Sequence, residues 1–156
     1  MSTTFQPPLL MDLAGLDPRG EDYAPRVVDA VLQHARAVQA SDVHLVPTAE
    51  GLRMSWRLDG VLQPVTMFTQ RGPNIVARLK VLAQLPTYRT DLPQEGRLQT
   101  GDQDVQMRVS TFPTLYGEKA VLRVFAGSSR YQRLGDLQLP EDVAEEWRRL
   151  LSATNG

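Results

Sequence analysis

The chain has 156 residues, of which 42% are hydrophobic, and it carries 17 basic and 18 acidic side chains. This length favours one domain, or one domain with tails. The absence of cysteine excludes a disulfide scaffold and a thiolate metal site, and the formal net charge of -1 lacks the positive excess typical of nucleic-acid binders. With only two histidines, His34 and His44, a multi-histidine metal site is not expected either.

No apolar stretch approaches the roughly 20 residues needed to cross a bilayer, and the N-terminus lacks the pattern of a signal peptide. A soluble cytoplasmic protein is therefore expected. Residues 1–22 contain scattered prolines and glycines with weak hydrophobic periodicity, which predicts a mobile leader with at most a short helical turn at 9–13.

The first half of the domain combines one helix with alternating strands. Pro25 is typical of the first turn of a helix, and apolar residues follow it at one-face helical spacing to about residue 40. Alternation of apolar and polar residues then predicts strands at 43–45, 52–58 and 61–65. Asp59-Gly60 should form the hairpin turn between the last two.

The second half repeats the order of helix and strands. Pro73 should open a second helix that Pro86 ends, and a polar loop at 87–96 should lead to strands at 97–100, 105–109 and 119–125. The nearly continuous apolar positions of the last strand predict burial on both faces. A linker at 127–135 and a third helix at 140–152 complete the chain. This order predicts an α+β fold with an antiparallel or mixed sheet flanked by helices.

No catalytic motif is present: the sequence has no phosphate-binding loop, dinucleotide fingerprint, zinc-protease motif or nucleophile elbow. Asp42 or Ser41 is expected to close the turn before the first strand, and His44 to be an ordinary strand residue.

Arg97 should begin a strand and Arg108 should lie on the polar face of the next, either as solvated charges or as anion ligands. A tight turn at Gly101-Asp102 should join the two strands, so the two arginines could sit on neighbouring strands and face one anion together. Glu118 could pair with a neighbouring arginine, and Arg123, flanked by apolar residues, would need a partner if it were buried.

Six segments, taken in order, resemble the domain that precedes the motor domain in the ATPases of type II secretion and type IV pilus assembly. They are ASDVHL at 40–45, RLDGVL at 57–62, LPQEGR at 92–97, RVSTFPT at 108–114, GEK at 117–119 and VLR at 121–123. The resemblance covers roughly residues 24–126 and continues weakly to the end of the chain.

The resemblance implies a PAS-like domain at 23–127, followed at 128–156 by a linker and the first helix of a truncated RecA-like motor domain. It implies a regulatory and positioning role in a hexameric ATPase, with Arg97 and Arg108 reaching toward the phosphates of ATP held by the motor domain. Glu118 and Arg123 would form supporting ion pairs. ATP and Mg²⁺ would belong to the full-length parent, and this chain alone, without a phosphate-binding loop, should be inactive.

The partners implied are the motor domain of the same or an adjacent subunit, the other copies of a homo-hexamer, and the platform proteins of the inner membrane. The location implied is peripheral, at the cytoplasmic side of that membrane. Two alternatives stay open: a stand-alone interaction module and a ligand-sensing PAS-like module, both derived from the same domain. Secretion, pilus extension and pilus retraction are not distinguished by the sequence.

Overall fold

The structure, a computed structural model, describes residues 8–98, 106–125 and 133–153. The chain divides into two compact units, Met1–Ala126 and Gly127–Gly156. The elements of the first unit are, in chain order, α1 (Pro8–Ala14), α2 (Tyr23–Ala37), β1 (Asp42–Thr48), β2 (Gly51–Leu58), β3 (Val61–Phe68), α3 (Gly72–Leu82), β4 (Gln94–Leu98), β5 (Gln106–Thr114) and β6 (Gly117–Phe125). The second unit contains a 3₁₀ turn (Leu134–Leu137) and α4 (Glu141–Ser152).

The six strands form one sheet in the order β3-β2-β1-β6-β5-β4, and every neighbouring pair is antiparallel. The predicted α+β class is confirmed, and the antiparallel alternative is the one observed. The first and last strands of the sheet along the chain, β1 and β6, are neighbours at its centre. This arrangement brings together residues that are about 80 positions apart, such as Asp42 and Arg123.

Helices α1, α2 and α3 share a hydrophobic core with one face of the sheet. Alternate strand residues, such as Val43 and Leu45 of β1, are buried on this inner face. The buried sides of α2 and α3 contribute to the same cluster, for example through Val28 and Ile75. The intervening strand residues lie on the other face, called here the outer face, which carries mostly polar and charged side chains.

Two strands differ from expectation. Gln94 and Glu95, predicted to lie in a loop, already pair with β5. A Cβ at Gly96 would lie 2.8 Å from the carbonyl oxygen of Ala83, so the close approach of β4 to the end of α3 requires glycine. In β6, the prediction of burial on both faces was wrong: Leu122 is buried, but Arg123 is exposed, because no described helix of the first unit packs on the outer face.

The predicted mobile leader does not hold for the residues that the structure describes, from Pro8 onward. The short helix is present as α1, and Leu9 is fully buried in the core. His34 Nε2 and Asp12 Oδ2 lie 2.6 Å apart and join α1 to α2. Arg71 also donates hydrogen bonds to the carbonyl oxygens of Pro18 and Arg19. The described part of the leader is attached to the rest of the first unit by the burial of Leu9 and by these polar contacts. The weak hydrophobic periodicity of the leader indicated neither of them.

The predicted third helix is confirmed as α4. Its large apolar residues, including Trp147 and Leu150, are exposed, whereas Ala144 is buried. The predicted Gly101-Asp102 turn and most of the predicted linker at 127–135 lie outside the described residues. Within the described ranges, no helix is long and apolar enough to cross a membrane.

Candidate functional site

A row of charged side chains crosses five strands on the outer face. The register pairs Arg57 of β2 with Asp42 of β1, Asp42 with Arg123 of β6, Arg123 with Arg108 of β5, and Arg108 with Arg97 of β4. Neighbouring strands lie about 4.8 Å apart, so the row is about 19 Å long. Four of its five members are arginines.

Three of the arginines are consecutive in the row: Arg97, Arg108 and Arg123. Side chains directly opposite each other on an antiparallel pair have Cβ atoms about 5 Å apart, and like charges at such positions destabilise a sheet. This arrangement requires negative charge nearby, supplied either by the protein or by a ligand. How the protein distributes its own carboxylates along the row therefore decides where an anion can bind.

Asp42 pairs with both arginines at one end of the row. Its carboxylate accepts a hydrogen bond from Arg123 Nε at 3.0 Å and from Ser41 Oγ at 2.9 Å, and Arg57 Nε lies 3.5 Å away. Burial alone would raise the pKa of Asp42, but the hydrogen bonds from Arg123 and Ser41 and the charge of Arg123 outweigh it and lower this pKa below its usual value. Asp42 is thus a buried anion that engages two arginines.

At the other end of the row, one of the two arginines has no carboxylate partner among the described residues. Arg108 lies 2.8 Å from Glu95, and both side chains are about half exposed, so the pair contributes only about 0–1 kcal/mol and can open easily. Glu95 also accepts a hydrogen bond from Ser110 at 3.3 Å. Arg97 is exposed and has no ion pair or hydrogen bond with its side chain among residues 8–98, 106–125 and 133–153. The one described carboxylate at this end is therefore exposed and pairs with Arg108 but not with Arg97.

The basic character extends over the described outer face. Arg53 and Lys119 lie on the same face as the four arginines of the row, which makes six basic side chains against two carboxylates, Asp42 and Glu95. The whole chain has a formal net charge of -1. Positive charge is therefore concentrated on this face, and the face is suited to bind an anion.

His44 lies at the centre of this face, between Ser55 and Val121 of the neighbouring strands, as the ordinary strand residue that was expected. Its Nε2 is buried and has no hydrogen-bond partner in the part of the chain that the structure describes. Burial is the main cause that lowers the pKa of His44; the charge of Asp42 opposes the shift, and Lys119 and the nearby arginines reinforce it.

This pKa shift predicts a pH dependence of stability. The folded state takes up the proton of His44 less readily than the unfolded state, whose histidine pKa is about 6.5, so stability should fall as the pH decreases below about 7. His44→Gln should remove this part of the slope, while His34 is retained in both proteins and contributes equally. Urea unfolding between about pH 5.5 and pH 7.5 measures both slopes. Equal slopes in the two proteins would contradict the assignment to His44.

The predicted site residues differ in their positions and in their partners. Arg97 and Arg108 lie on neighbouring strands, as predicted, and the register places them directly opposite each other. Arg123 is exposed and pairs with Asp42. Glu118 pairs with no arginine among the described residues; its partner is Lys80, at 2.8 Å. Sequence reasoning treated Asp42 as a turn residue and missed its position in the row, although the alternation of β1 places it on the polar face.

Lys80 and Glu118 form a buried polar cluster on the inner side of the sheet. The Lys80 side chain is fully buried, and its Nζ donates to the carbonyl oxygen of Arg89 at 2.6 Å and to both carboxylate oxygens of Glu118 at 2.8 and 3.0 Å. Gln94 Nε2 donates to the same Arg89 carbonyl at 2.5 Å. The cluster thus joins α3, the segment before β4, and the start of β6.

A cleft of about 610 Å³ lies between the β1–β2 turn, the start of α3, residues 87–90 and the β5–β6 turn. Two of its charged lining residues are already engaged: Arg71 binds backbone carbonyls and Glu118 binds Lys80. Threonine hydroxyls, such as those of Thr87 and Thr90, supply further polar groups. The cleft is large enough for a small ligand, but it does not use the basic row.

Comparisons with known proteins agree with these observations. The family model described as "Type II/IV secretion system protein" matches residues 18–156. A type IV pilus assembly ATPase, TfpB, of Acinetobacter baylyi is 33% identical over 140 residues, which are 87% of this chain and 24% of that protein. A type II secretion system protein E of Pseudomonas aeruginosa is 37% identical over 142 residues, 86% of this chain and 27% of that protein.

A type IV pilus assembly ATPase, PilB, of Thermus thermophilus is 32% identical over 139 residues, 87% of this chain and 16% of that protein. The chain therefore spans about a quarter or less of the length of these three relatives. The family match covers most of the chain and includes every strand of the sheet. The chain belongs to the family of type II/IV secretion system proteins.

Proposed function

We propose that this chain is the regulatory and positioning domain of a hexameric ATPase that powers type II secretion or type IV pilus assembly. Arg97 and Arg108 contact the phosphates of ATP that a motor domain holds together with Mg²⁺. The observation that carries the proposal is the position of the two arginines, directly opposite each other on neighbouring strands of the outer face. ATP is expected from the relatives, two of which are named as pilus assembly ATPases.

The chemistry of the pair fits a phosphate group. A guanidinium presents planar donors that match phosphate oxygens, and it keeps its charge at any physiological pH. A pair on two paired strands is held more rigidly than a pair on loops, so little conformational entropy is lost on binding. Asp42 contacts both Arg57 and Arg123 at the far end of the row. At the end formed by β4 and β5, Glu95 pairs with Arg108, and Arg97 has no carboxylate partner among the described residues, which favours an anion beside Arg97 and Arg108.

The same proposal assigns the partners. The nucleotide is held by a motor domain of the same or an adjacent subunit, because this sequence has no phosphate-binding loop of its own. The other partners are copies of the chain in a homo-hexamer and the platform proteins of the inner membrane, with the assembly peripheral to that membrane on its cytoplasmic side.

The isolated chain should neither hydrolyse ATP nor bind it more tightly than about 1 mM, which corresponds to about 4 kcal/mol. Weak binding should still be detectable, because two guanidinium groups attract a triphosphate. In an NMR titration with ATP, the side-chain Nε–H signals of Arg97 and Arg108 should shift, while that of Arg26 on α2 should not. Turnover above that of a mock preparation would contradict the proposal, as would shifts that avoid both Arg97 and Arg108.

The cleft near the start of α3 favours a second candidate, a ligand-sensing module. Its volume of about 610 Å³ lies within the usual range for small-molecule sites. Native mass spectrometry of the purified chain distinguishes the two: a retained small molecule that Thr87→Val or Thr90→Val releases would support the sensor. The unliganded mass alone would leave the phosphate-contacting domain as the better account.

A further inference from the structure

Lys80 is unusual because a lysine is almost never fully buried unless it is paired. Its side chain is completely inaccessible, and its ammonium group lies between one carboxylate and one backbone carbonyl. The carboxylate belongs to Glu118, itself 8% exposed, and the carbonyl to Arg89. Neither Lys80 nor Glu118 faces the basic row, so the proposed phosphate contact gives no direct reason for this pair.

Stability is not a sufficient explanation for a buried ion pair. Desolvation of both charges offsets most of their attraction, and well-packed apolar replacements of similar volume are often neutral or stabilising. An apolar pair, however, lacks the directional hydrogen bond to the carbonyl of Arg89. What the charged pair adds is a fixed position for that carbonyl relative to α3 and β6.

This carbonyl lies just before the strand that carries Arg97. It also accepts the hydrogen bond from Gln94, the first residue of β4, three positions before Arg97. β4 is an edge strand of five residues and pairs with β5 alone. A slip of one residue would move Arg97 to the inner face of the sheet, because side chains alternate along a strand. A short edge strand therefore depends on whatever fixes its first residue.

We propose that Lys80 and Glu118 are positioning residues that hold the segment before β4 and thereby keep Arg97 opposite Arg108. The functional importance of this role rests on the proposed phosphate contact, but the tether itself does not. Lys80 fixes the Arg89 carbonyl, the carbonyl fixes Gln94, and Gln94 fixes the register of β4. Glu118 completes the tether from the second residue of β6, two strands away from β4.

The test compares the complete chain with its double variant Lys80→Met/Glu118→Leu, which removes both charges and approximately keeps the volume. The control is Arg26→Met/Asp22→Leu, which removes an exposed ion pair on α2. The double variant should keep its thermal midpoint within about 4 °C of the parent. Backbone amides of 85–95 should exchange at least about tenfold faster, while amides between β1 and β2 should be unchanged.

The second readout is binding of pyrophosphate, followed through the Nε–H signals of Arg97 and Arg108. Affinity should fall at least about fivefold in the double variant and remain unchanged in the control. If the double variant does not fold, Gln94→Leu replaces it, because this substitution removes the other hydrogen bond to the Arg89 carbonyl without burying a charge. Amide exchange at 85–95 should then be faster and pyrophosphate binding weaker, both to a smaller extent.

The outcomes separate the two proposals. Unchanged amide exchange at 85–95 in the folded double variant would overturn the positioning role, whatever the affinity for pyrophosphate. Faster amide exchange at 85–95 together with an unchanged affinity for pyrophosphate would also overturn the positioning role, because the tether would then not act on Arg97. If pyrophosphate fails to shift Arg97 in the parent chain, the phosphate contact is wrong, while the exchange of 85–95 still decides whether the tether exists.

Discussion

Replacing Arg97 or Arg108 by alanine in a full-length ATPase that carries this domain should lower ATP turnover by at least about tenfold. An arginine that stabilises the charge on a transferring phosphoryl group can contribute several orders of magnitude, about 10³ to 10⁵. Tenfold is a lower bound because the two arginines lie opposite each other, so one can partly replace the other. Both variants should lower turnover through the same step, with the larger effect in the double variant.

Folding of the domain should change little in these variants. Arg97 is exposed, and Arg108 forms only a half-exposed pair with Glu95, so each substitution should alter the free energy of unfolding by no more than about 1 kcal/mol. Urea unfolding of the isolated chain measures this change. Removal of Arg108 also removes the repulsion between its guanidinium group and those of Arg97 and Arg123, which offsets the lost ion pair with Glu95.

Arg53→Ala provides the matched control, because Arg53 lies exposed on the same face but outside the row. It should leave turnover within about twofold, since a charge more than a Debye length from the phosphates, about 8 Å at physiological salt, is largely screened. Equal losses for Arg53, Arg97 and Arg108 would indicate a general effect of surface charge. Normal turnover with either alanine at 97 or 108 would contradict the phosphate contact, and an unfolded isolated domain would make the arginines structural.

Local patterns in the sequence were sufficient to predict most of the strands and the placement of Arg97 and Arg108 on neighbouring strands. Alternation determines which residues share a face, and a hairpin places nearby segments side by side. The row itself could not be predicted in this way. Its centre depends on the pairing of Asp42 with Arg123, which joins strands from opposite ends of the domain, and no local pattern specifies that β1 and β6 are neighbours.

The buried cluster was missed for a different reason. Lys80 follows Val76 by four positions and so lies on the buried side of α3, but a lysine in an apolar stripe is ordinarily assigned to the surface. Glu118 was expected to pair with an arginine, whereas its carboxylate contacts Lys80. The partner could be identified only once α3 was packed against the inner face of β6.

Breaking the buried pair from one side should have the largest effect on the stability of the isolated chain. Lys80→Met leaves the Glu118 carboxylate without its ammonium partner, and Glu118→Leu leaves the Lys80 ammonium buried without a counter-charge. Each single substitution should cost about 3–5 kcal/mol, because an uncompensated buried charge retains its desolvation penalty without the attraction that offset it. Urea unfolding followed by circular dichroism measures both losses.

The double variant Lys80→Met/Glu118→Leu should recover most of this loss and lie within about 1.5 kcal/mol of the parent, since no charge is then buried. The coupling between the two positions should therefore be several kcal/mol, well above the ~0.5 kcal/mol expected for independent sites. Arg26→Met and Asp22→Leu, which break an exposed pair on α2, should each change stability by less than about 1 kcal/mol and show little coupling. Additive losses at Lys80 and Glu118 would mean that the two side chains do not act as a pair. A double variant as unstable as either single variant would show that the hydrogen bond to the Arg89 carbonyl, which the apolar pair cannot make, stabilises the fold as well as positioning β4.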